Sequence, residues 1–90
     1  MKNVMILSTY KEYRHFIYKH LTSRGLIKSM TPNKVITIDG LTYRHAGCMD
    51  HVRGLEGDYI DLQHVDDWQQ ITAYLKIHGG VDVTDRYRPL

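Results

Sequence analysis

Apolar and polar residues alternate between positions 34 and 46, and this alternation predicts a β-hairpin. Asp39-Gly40 is a pair that a two-residue type I′ turn prefers, because both turn positions need a positive φ. With that turn, one face of the hairpin is apolar and the other is more polar. The apolar face is expected to carry Ile36, Ile38, Leu41 and Tyr43, and the other face Val35, Thr37, Thr42 and Arg44. The pattern predicts an antiparallel pair that is half-buried against a core.

Two further apolar runs predict strands. Residues 4–7 are continuously apolar, as is typical of a strand that is covered on both faces. Residues 58–62 form a shorter run, in which Asp58 and Asp61 are expected on opposite faces. Residues 26–30 are ambiguous between strand and loop, and residues 81–84 are expected to form an edge strand or to be irregular.

Two segments have helical periodicity. The first covers about residues 10–24, because Thr9 and Glu12 fit a capping box and Gly25 suits the position after a helix. The second covers about residues 67–78.

For the second helix, Asp66 is the expected N-cap with Gln69 as its partner, and two glycines follow at positions 79 and 80. The order of elements predicts one α/β domain over residues 1–90. Its mixed sheet has about four strands, including the antiparallel hairpin at 34–46, and two main helices pack on that sheet.

The charge of the chain is unevenly distributed along the sequence. The net charge is +2, but residues 1–45 carry eight basic and two acidic side chains, whereas residues 46–90 carry four basic and eight acidic ones. Such an asymmetry is typical of a face that binds nucleic acid or an acidic partner. The alternative is that the two halves intermingle in the folded domain and their fields cancel.

Cysteine content and hydropathy favour a cytoplasmic protein. A single cysteine, Cys48, excludes an internal disulfide and suits a reducing compartment. No apolar run approaches the roughly 20 residues of a membrane span. The apolar residues near the start lack a small-residue cleavage site, so we expect a strand there and no signal peptide.

His45, Cys48 and His51 have a spacing that could suit tetrahedral zinc, with Asp50 or His64 as a fourth ligand. However, a second pair of closely spaced ligands, which makes zinc signatures specific, is missing. A polar loop with scattered histidines is therefore the favoured interpretation, and no metal or other cofactor is predicted.

Enzymatic activity is not predicted. Cys48 with His45 or His51 could form a thiolate pair, but the sequence indicates neither an orienting residue nor an oxyanion hole. After the first strand, residues 8–12 read STYKE, without the glycines that cradle phosphates. Direct use of ATP is therefore not expected.

Basic residues suggest two binding elements. Lys11, His15 and Lys19 form a stripe on the first helix with Tyr18 beside it, which suits contacts to phosphates and a stacked ring, or is an ordinary solvated face. Arg53 lies in a glycine-containing loop and could present its guanidinium to a carboxylate or phosphate. Alternatively, an aspartate or glutamate at position 50, 56 or 58 holds it internally.

The central stretch resembles part of the ATPase domain of tailed-phage terminase large subunits and related P-loop helicase-like proteins. The matching pieces are VITIDG at 35–40 with LTYR at 41–44, and RGLEGDYI at 53–60. The chain departs from that family because it lacks the Walker A loop and has Gln63 and His64 where the family has Asp-Glu. The resemblance implies a reduced and catalytically inactive relative, encoded by a phage.

These observations predict a small non-enzymatic binding protein that regulates or inhibits a protein of nucleic-acid metabolism through protein contact. The alternative is direct nucleic-acid binding, and a metal-dependent enzyme is the least favoured class. The residues expected to bind a partner protein or nucleic acid are Lys11, His15, Tyr18, Lys19, Arg44 and Arg53.

Overall fold

A five-stranded mixed sheet carries one α-helix on each face in the computed structural model, which describes residues 2–87. The strands are β1 (Lys2–Leu7), β2 (Ile27–Thr31), β3 (Lys34–Thr37), β4 (Leu41–Ala46) and β5 (Gly57–Asp61), and the helices are α1 (Tyr10–His20) and α2 (Trp68–Ile77). Single 3-10 turns occur at Thr22–Arg24, Met49–His51 and Thr84–Tyr87. The strand order is β2-β3-β4-β1-β5, and β1 is parallel to both of its neighbours. The predicted α/β class is confirmed, with one strand more than expected.

Strand β1 is covered on both faces, as its continuous apolar run predicted. All four residues from Val4 to Leu7 are buried. Val4 and Ile6 belong to the core under α1, whereas Met5 and Leu7 belong to the core under α2. Since successive side chains of a strand point to opposite faces, an uninterrupted apolar run fits a strand with a helix on both sides.

The α1 core also receives side chains from the hairpin. Helix α1 contributes three buried residues, Tyr13, Phe16 and Ile17, and Leu21 follows directly after the helix. The α2 core is formed by Ile71 and Leu75 over β1, β5 and the end of β4. In the part of the chain that the structure describes, no helix is long and apolar enough to cross a membrane.

The hairpin at 34–46 is confirmed, but its predicted register and turn type are wrong. Ile36 lies opposite Thr42 instead of Tyr43, and Val35 lies opposite Tyr43. The one-residue shift places Val35 and Tyr43 in the α1 core, whereas Ile38 is 65% exposed. Because side chains of a strand alternate between its two faces, a shift by one residue turns Ile36 and Ile38, which were expected to face the core, away from it.

A side chain within the turn causes this shift. The Thr37 hydroxyl accepts a hydrogen bond from the Leu41 N–H at 3.2 Å and donates to the Asp39 carboxylate. The Gly40 N–H donates to the Thr37 carbonyl at 3.1 Å, so the loop contains three residues rather than two. Of the three loop residues 38–40, only Gly40 has a positive φ, of 87°, whereas a type I′ turn would require one at Asp39 too.

Replacement of Gly40 by valine is expected to lower the free energy of unfolding by about 1–3 kcal/mol, because a β-branched residue is strained at positive φ. A Cβ at this position meets no atom within 4 Å, so the loss measures backbone strain alone. Chemical denaturation of the wild type and the variant tests this, and equal unfolding midpoints would show that the turn tolerates valine.

Both helices begin close to their predicted positions. The Thr9 hydroxyl caps α1 by accepting the Glu12 N–H at 3.2 Å, which confirms one half of the predicted capping box. The Glu12 carboxylate accepts the Thr9 hydroxyl at 3.0 Å, so the reciprocal bond to the Thr9 N–H is not confirmed. The regular helix ends at His20, earlier than predicted, and a 3-10 turn continues the chain as far as Gly25. There the Ser23 hydroxyl donates to the Lys19 carbonyl at 2.6 Å.

The predicted cap of α2 is wrong. The N-cap position is held by Asp67, not Asp66, and its side chain makes no capping bond. The Asp67 carboxylate instead accepts the Met49 N–H at 2.9 Å, which ties the start of α2 to the loop after β4. A tertiary contact therefore engages the carboxylate of the residue at the N-cap position.

The two edges of the sheet differ. The segment after α2 runs beside β5: the Tyr59 N–H donates to the Val81 carbonyl at 3.0 Å, and the Val83 N–H donates to the Tyr59 carbonyl at 2.9 Å. Of the two alternatives for residues 81–84, the structure has a single bridge at Asp82 followed by a 3-10 turn. Strand β2 forms the opposite edge and has no further strand beside it within residues 2–87.

Candidate functional site

A groove of about 610 Å³ runs between α1 and the sheet edge formed by β2. We call it the α1–β2 groove. At one end, the Tyr10 hydroxyl donates to the Pro32 carbonyl at 2.8 Å and joins the start of α1 to the β2–β3 turn. The groove is lined by Tyr10, Tyr13, Arg14, Ile17, Tyr18, Thr22, Met30, Thr31, Pro32 and Val35. Its size is that of a site for several side chains or a small ligand.

Large apolar side chains are exposed on both walls of the α1–β2 groove. Tyr18, on the α1 wall, is 66% exposed and Met30, on the β2 wall, is 63% exposed. Tyr10 is also exposed, at the end that is closed by Pro32. Tyrosine and methionine are enriched at protein interfaces because they combine a large contact area with adaptable packing.

The inner wall of the groove contains a buried polar group. The Tyr13 hydroxyl has no hydrogen-bond partner within residues 2–87, although this side chain is almost wholly buried. Burial, with a smaller contribution from Tyr10, raises the pKa of Tyr13 to about 12, against a lowering effect of Arg44. The hydroxyl is therefore protonated at neutral pH and keeps its hydrogen as a donor.

The surroundings of the groove are strongly basic. From the start of α1 to the end of β2, positions 10–31, the chain has one acidic residue, Glu12, against five basic ones: Lys11, Arg14, Lys19, Arg24 and Lys28. Glu12 lies in the capping box and accepts the Thr9 hydroxyl. Arg14 is the charged residue among those that line the groove. The field at this surface therefore favours a negatively charged partner.

The predicted basic stripe of α1 lies on the outer side of the helix. Lys11, His15, Tyr18 and Lys19 are all exposed, and Tyr18 also lines the α1–β2 groove. The stripe and the groove are therefore adjacent surfaces of the same helix, and Arg14 belongs to both neighbourhoods.

Arg44 lies away from this surface. Its neighbour in the register is Met5, which points into the α2 core, so Arg44 belongs to the sheet face opposite α1. Its Nε donates to the Asn3 side-chain oxygen at 3.1 Å. Lys34 lies directly opposite Arg44 on the same face, which places two positive charges side by side. The predicted binding residues thus occupy two faces of the sheet and do not form one patch.

Arg53 lies in the loop between β4 and β5, where its Nη1 contacts the Asp50 carboxylate at 2.9 Å. Arg53 has one of the predicted acidic neighbours, but its side chain is 70% exposed and that of Asp50 is 76% exposed, so it is not held internally. An ion pair with this exposure contributes little to stability.

Arg53→Ala is therefore expected to change the free energy of unfolding by less than about 0.5 kcal/mol. If Arg53 belongs to a binding surface, the same variant weakens partner binding by about 1–3 kcal/mol. Denaturation and a binding titration on the one variant separate the two roles. A large loss of stability with unchanged affinity of the folded protein would remove Arg53 from the binding surface.

Two of the three candidate metal ligands, His45 and His51, make hydrogen bonds with the backbone. His45 Nε2 contacts the Ser8 carbonyl at 2.8 Å, and His51 Nδ1 accepts the Gly47 N–H at 2.9 Å. Since a carbonyl cannot donate, the His45 Nε2 must carry a proton. Within residues 2–87, no three His, Cys, Asp or Glu residues are arranged to hold a metal ion.

A second polar region lies at the carboxyl ends of the parallel strands β4, β1 and β5, where open α/β sheets often bind ligands. The Ser8 hydroxyl and one oxygen of Asp61 are buried there without a partner within residues 2–87. His64 contacts the other oxygen of Asp61 at 3.2 Å and stacks on Trp68 with ring centroids 4.0 Å apart. The α1–β2 groove is a defined cavity with large apolar side chains exposed on both walls, so it is the better candidate.

Sequence analysis identified Tyr18 but missed the rest of the groove. Residues 26–30 were ambiguous, so Met30 had no assigned face, and Arg14 was not distinguished from the other cations of α1. A cluster of tyrosines followed by a methionine and a proline is a weak signal, because each residue is unremarkable until the helix lies beside the sheet edge. Comparisons of the chain with known protein families, curated proteins and solved structures found no match.

Proposed function

We propose that this chain is a non-catalytic protein that acts by binding another protein through the α1–β2 groove. The observation that carries the proposal is the pair Tyr18 and Met30, both largely exposed on facing walls of one groove. Two large apolar side chains in contact with water are unfavourable. Their burial on a partner lowers the free energy by about 25 cal/mol per Å² of apolar surface. Exposed apolar patches of this kind mark binding sites in monomeric proteins.

Regulation or inhibition of a protein of nucleic-acid metabolism is the role that we propose for this binding. The choice of partner rests on the likeness of residues 35–44 and 53–60 to terminase-type ATPase domains, and on the basic surface around the groove. A phage origin and action in the host cytoplasm belong to the same proposal.

Direct binding of nucleic acid is the second candidate. It is favoured by Lys11, His15 and Lys19, which lie on the exposed side of α1 next to Tyr18. Phosphate contacts would make such binding fall steeply with salt concentration, whereas burial of Tyr18 and Met30 on a protein depends little on salt. Titration of a fluorescent single-stranded and a double-stranded oligonucleotide at 50 and 200 mM salt distinguishes the two.

The proposed protein contact predicts that Tyr18→Ala with Met30→Ala weakens partner binding at least about tenfold, because large aromatic anchors dominate interface energies. Both side chains are exposed, so the free energy of unfolding is expected to change by less than about 0.5 kcal/mol. Affinity capture identifies the partner, and titration of the purified partner against both forms measures the effect.

Ile77→Ala is the matched control. Ile77 is 81% exposed but lies on α2, on the other side of the sheet from the groove. It is expected to bind the partner like the wild type. If the wild type and the Tyr18→Ala, Met30→Ala variant are both folded and bind the partner with equal affinity, the groove is excluded as the contact surface.

A further inference from the structure

We infer that the α1–β2 groove takes an extended, acidic segment of its partner, which adds to the sheet as a sixth strand beside β2. This inference rests on the proposed protein contact and specifies the form of the ligand. A strand that joins an open sheet edge gains backbone hydrogen bonds along its length, and pockets beside that edge select its alternate side chains.

The first support is the difference between the two sheet edges. The β5 edge is occupied by the segment around Asp82, which exchanges two backbone hydrogen bonds with Tyr59. The β2 edge has no such cover within residues 2–87, although an uncovered edge presents unpaired N–H and C=O groups. The fold therefore protects one edge and leaves the other available.

The second support is the position of the groove next to that edge. Met30 lies opposite Val35, which belongs to the α1 core, so Met30 points to the α1 side of the sheet. A strand added beside β2 would place every second side chain on this same side, against Met30 and Tyr18. Apolar residues suit those positions, because both neighbours are apolar or aromatic.

The third support is charge. The other side chains of an added strand would lie on the opposite face of the sheet, next to Ser29. On that face Ser29 lies opposite Ile36, and Ile36 lies opposite Thr42. The next row on that face contains Lys34 opposite Arg44. From position 26 to position 46 the one acidic residue is Asp39, which is engaged by the Thr37 hydroxyl. Acidic side chains therefore suit this face, so the ligand should alternate apolar and acidic residues.

Some features of β2 act against indiscriminate pairing. The register shifts between Ile27 and Ser29, so that Lys28 interrupts regular pairing with β3. Lysines and bulges are devices that keep sheet edges from aggregating. They restrict addition to the regular part of β2, residues 29–31, and disfavour a second copy of this basic surface as the occupant.

The inference is tested with a display library of random 12-residue linear peptides, selected on the purified protein. We expect enriched sequences in which apolar and acidic residues alternate. A synthetic peptide of the enriched sequence should slow hydrogen exchange of β2 amides, measured by NMR, and should bind the Tyr18→Ala, Met30→Ala variant at least about tenfold more weakly. Binding by the Ile77→Ala control should be unchanged.

Two proline variants test the backbone contacts. Successive N–H groups of a strand point to opposite edges, so of Ser29 and Met30 one donates outward. Proline is tolerated on an edge strand where its nitrogen faces solvent. Of Ser29→Pro and Met30→Pro, one is therefore expected to keep its unfolding midpoint and to lose peptide binding. If both variants fold and bind the peptide, strand addition is wrong.

Other outcomes have separate meanings. No enrichment, or enriched peptides with apolar residues at helical spacing, would overturn strand addition. Strand addition can fail in this way while the Tyr18→Ala, Met30→Ala variant binds an independently captured partner protein more weakly than the wild type does. In that case the proposed function stands and this inference fails. Concentration-dependent dimerisation that is blocked by Ser29→Pro or Met30→Pro would identify a second copy as the occupant. Protection of the same β2 amides by a single-stranded oligonucleotide instead of a peptide would also overturn the inference.

Discussion

Gly57→Ala is expected to lower the free energy of unfolding by about 3 kcal/mol, because there is no room for a side chain between β1 and β5. A Cβ at Gly57 would lie 2.8 Å from the Asn3 carbonyl carbon, and closer still to the carbonyl oxygen. Both are backbone atoms of β1, which is paired on both sides, so they cannot move as a flexible side chain would. For a domain of this size the loss corresponds to a fall in Tm of roughly 12–24 °C. Thermal and urea unfolding measure it.

Two glycines provide controls for this prediction. Gly25 has a φ of 68° but open space around it, so Gly25→Ala should cost only about 1 kcal/mol from the left-handed conformation. At Gly80 a Cβ would lie 2.8 Å from the Leu75 carbonyl oxygen, without a positive φ, so Gly80→Ala isolates the effect of a backbone clash. If Gly57→Ala and Gly25→Ala lower the free energy of unfolding by the same amount, β1 and β5 can separate at little cost.

Asp58→Ala is expected to lower the free energy of unfolding by about 2 kcal/mol, because a buried carboxylate links three parts of the chain. One oxygen contacts Lys2 Nζ at 2.8 Å, and the other accepts the Val81 N–H at 3.1 Å. The second bond holds the segment that covers the β5 edge. Loss of the bond between Asp58 and Val81 should therefore also speed hydrogen exchange of the Tyr59 amide, which donates to the Val81 carbonyl.

The contribution of Asp58 should depend on pH. Burial by itself raises the pKa of this carboxyl, but hydrogen bonds from Lys2 and the Val81 N–H, with the charges of Lys2 and Arg86, outweigh burial and lower the pKa below the usual 3.8. A lowered pKa means that the folded state favours the carboxylate. The stabilisation is therefore fully present above about pH 4 and is lost as the pH falls through the lowered value.

Asp58→Asn separates charge from hydrogen bonding. The amide oxygen can still accept the Val81 N–H, but the side chain does not titrate. The difference in unfolding free energy between the wild type and Asp58→Asn should be largest near neutral pH and should shrink below about pH 4. A difference that stays constant from pH 7 to pH 3 would show that the charge of Asp58 does not stabilise the fold.

Elements that depend on neighbouring residues could be predicted from the sequence. The Thr9 cap of α1 forms because Thr9 and Glu12 lie in the same turn, and the hairpin exists because a glycine with a positive φ follows Asp39. The register of that hairpin could not be predicted in the same way. It depends on whether Thr37 points inward, where its hydroxyl accepts the Leu41 N–H, and apolar alternation favoured the other face.

The candidate site could be predicted only in part. The exposed cations of α1 and Tyr18 follow from helical spacing, since residues opposite a buried stripe face water. The groove itself needs Met30 and Pro32, which are separated from the first turn of α1 by about 20 residues and meet it through the bond between Tyr10 and Pro32. No local pattern specifies a contact between an edge strand and a helix that lies beside it.

The sequence by itself determined the α/β class, a first strand that is covered on both faces, the hairpin and the starts of the helices, because periodicity, capping and turn preferences act over a few residues. Only the tertiary structure decided which face of the hairpin is buried, that Arg44 and α1 lie on opposite sides of the sheet, and that β2 is an uncovered edge within residues 2–87. These features depend on strand order and register. Strand order and register are set by the packing of the whole core, in which a shift by one residue exchanges the two faces.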